Sequence, residues 1–292
     1  MRRRAFLAAL AAAALSAPAR AAPERFARGL LWRVSRKGVA ASHLFGTIHD
    51  ADARLAELPR PVAQALSGAK SLMLEFLPDR YSAERFLEAA MFDDGRTLEQ
   101  TIGAQDFALV VEMLAPIGLA RETVNRLKPW GALVNLRSPR PAAGETLDEQ
   151  LLEAARRRRL PLFQIEAVEE QIFTFDECPM ATQVALLRHS LHHRDDLLAL
   201  EDRTLEAYLA RDLAGIARLR AEFAARYPEI AEHQAVMEKR VVYDRSVVMA
   251  YRMQRELRRG GAFVALGALH LYGRKGVLAL LEQDGYRAAR VF

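Results

Sequence analysis

Cysteine is almost absent from this 292-residue sequence, and with Cys178 as the only one no intramolecular disulfide can form in any compartment. Stability must come from a packed core or a bound metal. Cys178 also lacks the neighbouring bases that would activate a nucleophile, so it reads as structural. The sequence holds no Gly-x-Ser-x-Gly elbow, no His-Glu-x-x-His helix, and no phosphate- or dinucleotide-binding glycine pattern. These absences argue against serine-hydrolase and nucleotide-binding readings. Repeats of solenoid period are missing too.

Charge of one sign is in excess across the full sequence, at +5 overall. The excess is concentrated in Met1-Arg2-Arg3-Arg4, which precedes an uncharged Ala/Leu stretch from Ala5 to Ala17 and the small-x-small pattern Ala19-Arg20-Ala21. A cationic start, a short apolar run and such a site describe a secretory signal peptide over residues 1–21, too short for a permanent membrane anchor. Its removal takes four of the 42 bases and no acid, leaving 38 bases against 37 acids. The charge-based case for a nucleic-acid partner then disappears. Arg3-Arg4-Ala5-Phe6-Leu7 resembles the twin-arginine export pattern, with ordinary export as the alternative. A periplasmic or secreted location follows from either route. No cysteine near the site could carry a lipid.

What remains, residues 22–292, reads as a single α/β domain. Leu30 to Ser35 and Ser42 to Thr47 form a hairpin, a helix follows over Leu55 to Ala69, and Ser71 to Phe76 is a strand parallel to the second. Further strands are expected at Leu160 to Ile165, Ala262 to Gly267 and Tyr286 to Val291. Helical insertions over about 80–160 and 176–258 interrupt a mixed, mostly parallel sheet and form a lid over its carboxyl edge. Pro179 to Arg258 reads as nearly continuous helix, broken near Arg211 and Tyr227-Pro228. The Arg156-Arg157-Arg158-Arg159 run is expected to be a solvated helix end.

Four candidate groups sit at the ends of apolar strand-like runs. His49 closes Gly46-Thr47-Ile48-His49, Glu75 follows Leu72-Met73-Leu74, Glu166 follows Pro161 to Ile165, and His270 closes Gly267-Ala268-Leu269-His270. Ligands of open α/β sheets bind outside the carboxyl ends of the parallel strands, so these distant residues can converge. Glycine at each Gly-x-x-His permits backbone angles and close approaches denied to other residues. Two imidazoles and a carboxylate suit Zn, Mn, Co or Fe, with a position for water whose pKa the metal lowers. The bland alternatives are a core or loop histidine, an ion pair or helix cap for Glu75, and a helix N-terminal carboxylate for Glu166.

At these residues the chain resembles the TraB/GumN family, whose relatives include the TIKI metalloproteases and, more distantly, erythromycin-esterase-like and ChaN-like proteins. The landmarks are Leu31-Trp32-Arg33-Val34, His43 to His49, the strand ending in Glu75, Lys128-Pro129-Trp130 and Gln164-Ile165-Glu166. Tyr243-Asp244-Arg245-Ser246, Val264 to Gly273 and Gly285-Tyr286 complete them. The resemblance implies that His49, Glu75, Arg245 and His270 line an active site. It also implies divalent-metal-dependent proteolysis as in the TIKI members, a link to peptide pheromones as in TraB relatives, or a place in exopolysaccharide assembly as in GumN. Arg245 could hold a substrate carboxylate or a developing oxyanion, or it could pair with Asp244 or Glu256. Ser246 stands where the family often shows Asn after the Arg, which puts a supporting amide contact in question.

Trp130 is expected to pack in the core at a helix start. His189, His192 and His193 form a helical cluster in which 189 and 193, or 189 and 192, share a face that reads as solvated because no carboxylate stands at matching spacing; a second metal site is the alternative. The function read from the sequence is an exported metal-dependent hydrolase, a peptidase, in which His49, His270 and Glu75 hold a divalent metal. Glu75 or Glu166 would serve as base, and Arg245 would stabilise charge. The rival is a binding protein for a peptide, metal or haem, or an accessory factor in exopolysaccharide assembly. The partner is a peptide or small molecule, and nothing in the sequence decides between a monomer and a homodimer.

Overall fold

The sheet grows from the apolar runs of the sequence, and the computed structural model describes it within residues 25–137 and 144–292. The export segment expected over 1–21 lies outside the described residues. The strands are β1 (Leu31–Ser35), β2 (Ser42–Thr47), β3 (Ser71–Leu74), β4 (Leu162–Gln164), β5 (Ala262–Gly267) and β6 (Arg287–Arg290), in spatial order β4-β3-β5-β2-β1-β6. β4, β3, β5 and β2 are mutually parallel, whereas β1 is antiparallel to β2 and β6 is antiparallel to β1. This is the mixed, mostly parallel α/β sheet that the patterning implies. β3 and β5 are buried almost throughout, as continuous apolar runs between two layers should be.

One detail departs from simple succession. β2 and β3 are parallel, as expected, but they do not touch: β5, almost 190 residues further on than β3, lies between them. Its register sets Thr47 opposite Gly267 and Leu74 opposite Ala265, while Leu74 also faces Gln164 of β4. The carboxyl ends of four strands therefore stand side by side.

After β2 comes α1 (Arg60–Ser67), starting later than its periodicity suggests because Pro59 and Pro61 set the entry and a short turn at Ala53–Leu55 takes the first residues. The first insertion is α2 (Arg80–Ala89), α3 (Leu98–Ile102), α4 (Ala104–Leu114), α5 (Arg121–Arg126) and α6 (Pro129–Arg137), followed by α7 (Leu147–Arg157). The second is α8 (Val168–Asp176), α9 (Met180–His192), α10 (Arg194–Leu209), α11 (Leu213–Arg226) and α12 (Ala231–Glu238). It continues through a π-helical turn at Lys239–Asp244 into α13 (Arg245–Arg252) and α14 (Gln254–Arg259). A last helix, α15 (Val277–Gln283), precedes β6. The breaks at Arg211 and Tyr227 stand where expected, and three more appear at His193, at the π-helical turn and at Met253. None of the described helices is long and apolar enough to cross a membrane.

Two clusters of buried side chains organise these layers. One joins the sheet to α1, α7, α13, α14 and α15 and reaches Leu205 and Tyr208 of α10 and Ile216 of α11. The other is built by the first insertion around fully buried Trp130, together with Leu186, Leu187 and Leu191 of α9 and Tyr227. Trp130 thus packs as the sequence suggests, its ring stacked on Phe175 and its indole N–H donating to Asp176. α7 buries Leu147, Leu151, Leu152 and Ala155 on one face and is held at its start by a reciprocal Thr146–Glu149 cap. The arginine run at its other end is exposed, and Arg158 donates to the last carbonyls of α1, at Leu66 and Ser67.

Candidate functional site

Beyond the carboxyl edge of the sheet lies a cavity of about 580 Å³. Its lining includes Thr47 and His49 after β2, Glu75 after β3, Asp148 of α7, Tyr208 of α10, and Gly267 and His270 after β5. The helices that cover it are therefore α7, α8, α10 and α11 with the π-helical turn, whereas α2 to α6 turn away to their own core.

Each glycine of the two Gly-x-x-His motifs serves close approach, since neither has a positive φ. A Cβ on Gly46 would meet Leu271 Cδ1 at 2.8 Å and Ala268 Cα at 3.0 Å, so only glycine lets β2 pass the turn that carries His270. Gly267 presents its N–H to Glu75 Oε1 at 2.5 Å, and a Cβ there would stand 3.3 Å from that oxygen.

Glu75 is the hinge of a charged row. Its Oε2 accepts from Arg245 Nη2 at 2.7 Å, and the same guanidinium grips Glu166 through Nε at 3.1 Å and Nη2 at 2.6 Å. Glu166 is only 3% exposed, and its backbone N–H donates to the Glu75 carbonyl. Neither Glu166 nor Arg245 reaches the cavity lining; both stand behind Glu75 and brace it. The partners suggested for Arg245 by sequence are engaged elsewhere, Asp244 with Lys239 and Glu256 with Arg259. Burial pushes the Glu75 carboxyl up, and the opposing pull of His270, Arg245 and the Gly267 N–H together leaves it below the usual carboxylate range.

His270 ends a short turn after β5 and is buried. Burial pulls its imidazole below the ordinary histidine value against the opposing pull of the Glu75 charge, so the ring is neutral near pH 7. Its hydrogen bonds assign the tautomer. Ser246 Oγ donates its single proton to the Val242 carbonyl at 2.7 Å, so at 2.9 Å from His270 Nδ1 it can only accept. Nδ1 therefore carries the proton, and the Nε2 lone pair is left 3.8 Å from Glu75 Oε1. The serine found in place of asparagine keeps the supporting contact through its hydroxyl.

A family model described as the TraB/PrgY/gumN family matches residues 30–290. The chain belongs to the TraB/PrgY/gumN family. Comparison with curated proteins and with solved structures finds no match.

The matched span of this TraB/PrgY/gumN chain contains every candidate site residue read from the sequence. The structure brings Glu75, Glu166, Arg245 and His270 into contact, and it places His49 on the rim of the same cavity, exposed. Donor atoms of His49, Glu75 and His270 do not all lie within 4.8 Å of one another.

Asp148 was not legible as a site residue. It accepts from Thr47 Oγ1 at 3.2 Å, and burial together with the nearby Glu75 charge raises its carboxyl to about 7. Burial, then the Asp148 charge, also pushes the Tyr208 phenol up; its hydroxyl donates to the Gly46 carbonyl at 2.8 Å. A signal for Asp148 existed: a helix that feeds a parallel strand starts at the carboxyl edge of the sheet, so acids in its first turn face the site.

The histidine cluster on α9 corrects the expectation of a solvated face. His189 is buried, and a carboxylate is supplied by another element, Glu229 of the turn Pro228–Ile230. His189, His193 and Glu229 form a candidate metal-binding cluster, their ligand atoms all within 4.8 Å of one another. His192 turns away to Asp106, 2.9 Å from its Nε2. Cys178 is buried, and its thiol is pushed up by that burial, as fits a packing role.

Proposed function

We propose that this family member is an exported, metal-assisted hydrolase acting on peptides or related small carbonyl compounds. The observation that carries the reading is the His270 Nε2 lone pair beside the ionised Glu75, with Asp148 on the same cavity wall. The donor chemistry fits a borderline divalent ion such as Mn, Co, Zn or Fe: one neutral imidazole with its tautomer fixed, one carboxylate held charged, and a second imidazole on the rim. No hydrogen bond to a described residue ties the His49 ring, which must turn inward to join the other two. When bound, such an ion polarises a carbonyl and lowers the pKa of water.

The remaining roles belong to side chains. Asp148, titrating near neutral pH, is suited to take a proton from attacking water and return it to the leaving group. Glu166 and Arg245 position Glu75, and Tyr208 fixes the backbone of the first histidine motif. The test is metal analysis of the purified chain with peptide-library cleavage, with and without chelator, beside His49→Ala and His270→Ala. Chelator-sensitive cleavage lost in both variants supports the reading; cleavage unaffected by chelator in all three proteins overturns it.

One observation favours a second reading, binding without turnover. The guanidinium that could have steadied an oxyanion gives four of its five hydrogens to Glu166, Glu75 and the Val241 carbonyl and does not reach the cavity lining. Tight binding of a peptide, metal or haem with no cleavage would support that alternative.

A further inference from the structure

We propose that His189, His193 and Glu229 bind one zinc-type divalent ion that pins the α9–α10 corner to the turn after α11, apart from the cavity. His189 and His193 are one helical turn apart and share a face. Their rings stack with centroids 4.5 Å apart and 26° between planes, and one nitrogen of each lies within 4.8 Å of the other. Glu229 brings a carboxylate oxygen to them from 36 residues beyond His193, and the three ligand atoms lie within 4.8 Å of one another. Tetrahedral zinc with ligands at roughly 2.1 Å needs donors about 3.4 Å apart, so half-buried His193 must turn out of the stack and exposed Glu229 close in.

Two imidazoles and one carboxylate, with water completing the set, are a donor combination zinc accepts. The surroundings favour a structural ion. Phe223 and Tyr227 pack against the His189 ring at centroid distances of 5.6 and 4.6 Å, and position 190 is serine, so the helix lacks the glutamate that would act as base in a His-Glu-x-x-His site. His193 closes α9 and opens α10 with φ −123° and ψ 36°. An ion there fixes the joint from which α10 runs to Tyr208, about 22 Å along the helix. In a chain with one cysteine, such an ion does what a disulfide cannot.

The experiment is zinc titration of the chelator-stripped full chain by calorimetry, with equivalents counted by elemental analysis and tetrahedral cobalt absorption as a second readout. Wild type, His193→Ala, Glu229→Gln and His270→Ala are compared. Glu229 is exposed, so its variant leaves the core intact, and His270→Ala removes only a donor of the cavity. The expectation is that His193→Ala and Glu229→Gln lose one equivalent or bind it about tenfold or more weakly. His270→Ala keeps that equivalent, and zinc raises the melting temperature of wild type and His270→Ala by more than that of His193→Ala, in which only the cavity can bind it. Unchanged uptake in both cluster variants, or no uptake by His270→Ala, overturns the proposal without bearing on cleavage at the cavity.

Discussion

Ser246 Oγ lies 2.9 Å from His270 Nδ1 and donates its own proton to the Val242 carbonyl, so this hydroxyl helps set which nitrogen of His270 carries the proton. Ser246→Ala removes that contact. Metal affinity or activity at the cavity is expected to fall on the order of 10-fold to 100-fold, as for other partners of ligating histidines. Nitrogen chemical shifts of the His270 ring would show a mixture of tautomers. A single unchanged tautomer in Ser246→Ala would remove the argument.

Arg245 lies between two carboxylates, one almost fully buried. Arg245→Ala strands both, and stability in urea should fall by about 3–5 kcal/mol, the range for breaking one partner of a buried pair. Glu166→Gln keeps the shape and one acceptor, so its loss should be smaller, about 1–3 kcal/mol. If Arg245→Ala unfolds at the wild-type midpoint, the guanidinium is not bracing Glu75.

The Asp148 carboxyl titrates at about 7 in the folded chain against an ordinary 3.8. Between these values the folded state holds a proton that the unfolded state has released, so this group lowers stability as pH rises from about 4 to about 7 and adds no slope beyond. Asp148→Asn cannot titrate. In metal-free buffer the variant should equal wild type near pH 4 and exceed it at pH 8, read as urea midpoints. A stability difference that is constant across that range would contradict the raised value.

Gly46→Ala places a methyl against Leu271 and the Ala268 backbone. Overpacking of this kind is expected to lower stability by about 1–3 kcal/mol. Calorimetric melting would measure it, and a wild-type melting temperature would mean that the turn carrying His270 has room to spare.

Much of the sheet can be read directly from the residues, because β2, β3 and β5 are short apolar runs buried on both faces. The acids and histidines at their ends were legible for the same reason: a charged or polar residue directly after such a run sits at the strand's edge. Contacts between distant segments were not. Asp148 hides inside an ordinary helix cap, and only the meeting of α7 with Thr47, 101 residues away, makes it part of a site. Glu229 stands in a three-residue turn with no periodicity of its own, so the face shared by His189 and His193 looked solvated. Arg245 was visible as a motif residue, yet its role as a brace depends on Glu166, whose near-total burial no local pattern announces.

The strand order also governs when the fold can close. β5 is synthesised after β2, β3 and β4 but lies between β2 and β3, so those two strands lack their common neighbour until residues 262–267 emerge from the ribosome. Pairing across so large a sequence separation is slow, and open strand edges invite unwanted partners meanwhile. A nascent chain of this protein therefore stays unfinished along its central seam through most of translation, and the cavity and its rim exist only after that seam is sealed.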